Sequence, residues 1–145
     1  MNIEIVKLNP AAVIPHYAHP GDAGLDLFSI DRAEIPPGET KLIQTGIAIA
    51  LPINTEAQIR PRSCLALKHS ITVLNSPGTI DAGYRVEIGV ILINHGKKSF
   101  QITPGMKIAQ MVIASIIQAK LTIVNQLDET SRCTDGFGST GTFKY

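Results

Sequence analysis

Apolar side chains recur at every second position along most of this chain, and Pro or Gly stands where the alternation breaks. That rhythm predicts short strands rather than long helices. Residues 2–8 read as an edge strand, while Pro10, Pro15 and Pro20 keep residues 9–21 irregular because each removes a ladder N–H. In residues 22–29, Leu25 and Leu27 alternate with Asp26 and Phe28, which aims Asp26 to the side opposite the leucines. Strands near Ala33 and over residues 41–43 flank the turn Pro36-Pro37-Gly38-Glu39, and residues 46–51 put Ile47, Ile49 and Leu51 on one face. Residues 56–60 form another strand, ended by Pro61. Residues 62–69 then suit one or two helical turns with Ser63 near the start.

Residues 75–94 join polar turns to an apolar run. Pro77-Gly78 and Ala82-Gly83 mark two tight turns, and the segment between them ends in Asp81, a carboxylate on constrained backbone. Beyond Tyr84, the residues Val86, Ile88, Val90 and Leu92 fall on one strand face, and Ile91 and Ile93 make the far half of the other face apolar. Burial on both sides is expected there, with a register that cannot slip. A hairpin loop over 94–98, a strand over 99–103 and a turn at Pro104-Gly105 follow. Residues 106–117 alternate loosely and read as a long buried strand, with helix as the competitor. Residues 120–124 read as the last strand. From Asn125 the pattern stops, and the polar, glycine-rich residues 128–141 predict mobility.

A chain of 145 residues suits one domain with a single core. With 13 Lys+Arg against 12 Asp+Glu the net charge is +1, which excludes the broad basic surface that nucleic acid or an anionic membrane requires. Any anion must meet a local cluster. No apolar stretch reaches spanning length and residues 1–8 contain no long apolar run, so a soluble, cytoplasmic protein is expected. Cys64 and Cys133 lack metal-ligand spacing and read as two free thiols.

Several polar groups stand out on this apolar scaffold. Asp81 and Asp26 are the carboxylates in constrained or strand positions, and Arg62-Ser63 at a helix start offers a guanidinium beside unpaired N–H groups. Gln110 is the one long amide in an apolar run and needs hydrogen-bond partners if buried. The stretch Gly136-Phe137-Gly138-Ser139-Thr140-Gly141 can wrap an anion with successive N–H groups and two hydroxyls, yet it lacks the lysine and helix of a P-loop.

Residues 23–26, 61–68, 75–87, 105–110 and 132–141 resemble, in order and spacing, the five motifs of the trimeric deoxyuridine triphosphatases (dUTPases). The resemblance covers residues 8–141. It implies an all-β fold, a distorted jelly-roll β sandwich of the β-clip type, assembled as a homotrimer whose active sites each draw on three subunits. Residues 1–124 would be the β domain and 125–145 a mobile lid. The implied reaction is hydrolysis of deoxyuridine triphosphate (dUTP) to the monophosphate and pyrophosphate with Mg²⁺ on the triphosphate. Carried onto this chain, Asp81 would orient and deprotonate the attacking water, and Tyr84 would stack on the deoxyribose. Backbone around Asn75, Gly78 and Ile80 would read uracil. Arg62, Ser63 and Gln110 resemble triphosphate contacts, and Asp26 the carboxylate that reaches the metal through water. Arg132 would act as an arginine finger, Phe137 would cover the base, and Gly138, Ser139 and Thr140 would close on the phosphates.

Cys64, Val86 and Cys133 stand where the family usually has glycine, and Ser70 and Asp135 depart in the same way. Where such a glycine serves positive φ or close approach, a Cβ costs about 1 kcal/mol. A second reading is therefore a weakened nucleotide-binding trimer that sequesters the nucleotide or signals to a protein. A deoxycytidine triphosphate deaminase is a third, disfavoured because residues 81–84 match the hydrolase.

Overall fold

The alternating stretches become strands, and every strand pair is antiparallel. The computed structural model describes residues 1–143. In chain order the elements are β1 (Glu4–Lys7), β2 (Gly24–Phe28), β3 (Ala33–Ile35), β4 (Thr40–Gln44), β5 (Ile47–Ala50), β6 (Thr55–Arg60), α1 (Ser63–His69), β7 (Ile71–Val73), β8 (Gly78–Ile80), β9 (Gly89–Asn94), β10 (Phe100–Ile102) and β11 (Lys107–Ser115). They form a four-stranded sheet β2-β11-β6-β8, a three-stranded sheet β4-β9-β7, and the pairs β1-β5 and β10-β3. No helix among the described residues is long and apolar enough to cross a membrane.

Leu27, Ile43, Ile47, Ile59, Leu92, Ile102 and Ile108 are buried and belong to one core drawn from all four sheets. Each such side chain contributes roughly 1.5–3 kcal/mol by leaving water. The strand reading of residues 106–117 is borne out by β11, which lies between β2 and β6.

Asn94 locks the far end of β9. It is fully buried, its Nδ2 donates to the carbonyls of Ile35 and Lys98 at 2.8 Å each, and its Oδ1 accepts from the Gly96 N–H at 2.8 Å. Replacement by Ala strands three buried or half-buried backbone groups. We expect Asn94→Ala to lower unfolding free energy by about 2–4 kcal/mol, read as a fall in the denaturant midpoint at unchanged slope.

Besides the hairpin expected over residues 94–98, which does not form because β10 pairs with β3 and not with β9, three expectations need correction. Strand β9 begins at Gly89, so residues 84–88 are not part of it. Their backbone is held by the β4–β5 bend instead: Ile88 N–H donates to Ile47 O at 2.8 Å, and the Glu87 carboxylate accepts from Gly46 N–H at 2.7 Å. Val86 is consequently 65% exposed. Second, Val90 and Leu92 are buried, but Ile91 and Ile93 are only half-buried within one chain. Their face also carries the exposed Leu42, paired opposite Ile91. Third, residues 120–124 form no strand, and Ile123 is 98% exposed. An alternating pattern needs a free sheet edge, and among the described residues none pairs with it.

Candidate active site

Three strands of the large sheet bring a polar row to one level. Gln110 on β11 lies opposite Asp26 on β2 and opposite Arg60 on β6. Pro61 then ends β6, and α1 opens with Ser63, Arg62 being its extended N-cap residue. Gln110 finds the partner that its burial demands, since Nε2 donates to the Pro61 carbonyl at 3.0 Å and so fixes the corner that aims Arg62. Gly24 makes room for this: a Cβ there would stand 2.3 Å from the Gln110 Oε1.

Asp26 is the centre of charge. Only 8% exposed, it gives Oδ1 to Arg62 Nε at 3.3 Å and Oδ2 to Lys107 Nζ at 2.7 Å. The Arg62 NH1 group also donates to the Lys107 carbonyl at 3.3 Å. These groups, with Ser63, Cys64 and Gln110, wall an open cavity of about 490 Å³. Two cations and two carboxylates, Asp26 and Asp22, line it, and Arg62, Lys107 and the Gln110 amide are the groups suited to an anion. Sequence reading missed Lys107. Being three residues from Gln110, it belongs on the opposite face by simple alternation. The register of β11 on β2 shifts between Lys107 and Ala109, and this bulge puts both side chains on the cavity side. His19 and Asp22 also line the cavity from the proline-rich loop, where no periodicity marks them.

A second group sits on the far side of β6. Strand β8 pairs there through Gly78 opposite Ile59 and Ile80 opposite Ala57. The Asn75 amide lies over Gly78, where an added Cβ would stand 3.3 Å from Nδ2. Past β8 the chain turns sharply, with Tyr84 N–H donating to Asp81 O at 3.0 Å and the Tyr84 hydroxyl donating to Glu87 O at 3.0 Å. The Asp81 side chain is exposed and is in no ion pair among the described residues.

The tail forms a third group, apart from both. Arg132, Phe137, Gly138, Ser139 and Thr140 line a hollow of their own of about 430 Å³. Arg132 donates to the carbonyls of Asp135 at 3.1 Å and Gly136 at 3.3 Å, both within the tail. Phe137 is 112% exposed. A single chain thus brings Asp26, Arg62, Ser63 and Gln110 together, and separately Asn75, Gly78, Ile80, Asp81 and Tyr84, but it does not bring the tail to either.

The model of the dUTPase family matches residues 11–141. The chain belongs to the dUTPase family. It is 68% identical over 142 residues to the deoxyuridine 5'-triphosphate nucleotidohydrolase of Trichodesmium erythraeum, covering 98% of this chain and 100% of that protein. The protein of the same name from Clostridioides difficile is 59% identical over 140 residues, covering 97% of this chain and 98% of that one. Among solved structures, the Staphylococcus bacteriophage 80alpha dUTPase with dUPNHPP is similar with a TM-score of 0.91 at 26% identity, covering 97% of this chain and 99% of that chain. The all-β, jelly-roll fold read from the sequence is therefore that of the dUTPases.

Within this dUTPase, the five departures from glycine divide by backbone geometry. Ser70 and Cys133 do occupy the left-handed region, at φ 56 and 48, the first as the C-cap of α1 with its N–H on Ala66 O. Each costs about 1–2 kcal/mol relative to glycine. Cys64 lies inside α1, Val86 points to solvent, and Asp135 has no positive φ, so the backbone conformation at these three positions does not demand a glycine.

Proposed function

We propose that this chain is an active dUTPase, hydrolysing dUTP to the monophosphate and pyrophosphate. The observation that carries this, beyond family membership, is the Asp26–Arg62–Lys107–Gln110 cluster around a cavity of triphosphate chemistry. Arg62, Ser63 and Gln110 bind the triphosphate there. Across β6, backbone groups of Asn75, Gly78 and Ile80 pair with the uracil edge, which rejects bases that leave those groups unpaired. The Tyr84 ring, fixed at its hydroxyl by Glu87 O, packs on the deoxyribose where an added 2'-hydroxyl would clash. Asp81 holds the attacking water and takes its proton. Arg132 meets the γ-phosphate, Phe137 covers the base, and Gly138, Ser139 and Thr140 close on the phosphates, so residues 125–145 serve as a mobile lid. Residues 144 and 145 of that lid lie outside the described residues.

Among the described residues no three His, Cys, Asp or Glu side chains cluster to cage a metal. A single buried carboxylate facing an anion cavity does fit Mg²⁺ that arrives on the nucleotide and touches Asp26 through its water shell. Such an ion neutralises phosphate charge when bound. Asp26 would orient that shell, and Arg62 would hold the phosphates.

A homotrimer completes the site. Support comes from the apolar face of Leu42, Ile91 and Ile93 and from the exposed Ile117, Leu121 and Ile123, which a single chain leaves unpaired. The chain works in the cytoplasm, with no nucleic acid or membrane partner.

Pyrophosphate release measured on deoxyuridine, deoxycytidine, thymidine and uridine triphosphates tests the function. Turnover is expected to prefer dUTP by a factor of about a hundred or more. Equal turnover of all four, or none, overturns the reading.

A further inference from the structure

Both oxygens of the Asp26 carboxylate are occupied by cations, and its side chain is only 12% exposed. With so little of it exposed, water bound to a metal ion would compete with those cations for the carboxylate. The two are not equally held. Arg62 has a second anchor at the Lys107 carbonyl, and its planar fork can keep Asp26 while meeting a phosphate. The Lys107 ammonium is a compact charge on a flexible stem, its side chain 37% exposed and part of the cavity lining. Its other neighbour is the Phe28 ring, with Nζ 5.8 Å from the centroid. Phe28 is itself stacked on His16 at 5.3 Å. That ring face keeps the ammonium at the cavity wall once it leaves Asp26.

We propose that Lys107 is the positioning cation of this site: it holds Asp26 until the metal-bound nucleotide enters, then passes to the triphosphate, so that ammonium and metal exchange on one carboxylate. The inference rests on the reading of the site as a deoxyuridine triphosphate site. Before entry, Lys107 neutralises Asp26, which lets a triphosphate approach Arg62 without repulsion from the buried carboxylate. After entry, Lys107 is the group that competes with the metal for Asp26.

The test is calorimetric binding of deoxyuridine imidotriphosphate, which is not hydrolysed, with and without Mg²⁺. For Lys107→Met, affinity without Mg²⁺ is expected to fall about tenfold or more, and affinity at saturating Mg²⁺ by no more than about threefold. The Mg²⁺ concentration for half-maximal tightening should fall severalfold, because the competitor is gone. Lys107→Arg, which keeps the charge, should hold the ratio of the two affinities within about twofold of the wild type. In Asp26→Asn the further change Lys107→Met should leave the Mg²⁺ midpoint where it was. Equal losses with and without Mg²⁺ in Lys107→Met are what a purely structural role gives, and they overturn the exchange. A wild-type chain that does not bind the analogue removes the functional reading, and this inference with it.

Discussion

Asp81→Asn should lower kcat for dUTP by about a thousandfold while changing the affinity for deoxyuridine imidotriphosphate by no more than a few-fold. The amide is nearly isosteric with the carboxylate, so the turn closed by Tyr84 N–H on Asp81 O persists. Its oxygen remains a hydrogen-bond acceptor of nearly the same size, which preserves ground-state binding. What is lost is the ability to take a proton from water in the transition state. Because the Asp81 side chain is exposed and is in no ion pair among the described residues, no buried charge is left unpaired and the thermal midpoint should stay put. Single-turnover pyrophosphate release, calorimetry and a thermal melt separate the three quantities. Wild-type kcat in this variant would sink the assignment of Asp81 as the base, and loss of binding in parallel with rate would make it a binding group instead.

What could be read in advance depends on whether a residue's surroundings lie along the chain or across it. Asp26 was legible because it is a carboxylate between leucines, and Gln110 because an amide in an apolar run must find a partner. The structure supplies that partner in the Pro61 carbonyl. Lys107 was not legible, since the register shift after it reverses the face that counting assigns. Residues 84–88 kept the alternation of a strand without becoming one, because the Glu87 carboxylate and Ile88 N–H satisfy the β4–β5 bend rather than a neighbouring ladder. Residues 120–124 show the opposite limit. Their pattern is that of a strand, but pairing is a property of two segments, and among the described residues the second is missing. Ile91 and Ile93 carry the same lesson, for their half-buried face asks for a surface this chain does not itself provide.

Removing residues 132–145 should abolish turnover by about a thousandfold or more while moving the thermal midpoint by no more than about 2 °C. The two halves of this expectation have separate causes. Stability is indifferent because the tail's hydrogen bonds close on themselves: Asp135 N–H on Arg132 O, Ser139 N–H on Gly136 O and Gly141 N–H on Gly138 O, with the Arg132 guanidinium also spent inside the tail. Among its described residues, 132–143, every one is exposed, and Phe137 buries no surface to forfeit. Activity is not indifferent on the proposed reading, in which Arg132 meets the γ-phosphate and Ser139 and Thr140 close on the phosphates. Arg132→Ala in the full chain should reproduce most of the rate loss, since the electrostatic contact outweighs the covering ones. A truncated chain that melts as the wild type does and still hydrolyses dUTP at the wild-type rate would show that the tail is no lid. One that melts far lower would show that it packs on the body. Only the combination of intact folding and lost turnover is consistent with a segment whose interaction energy is held back from the fold and released on the substrate.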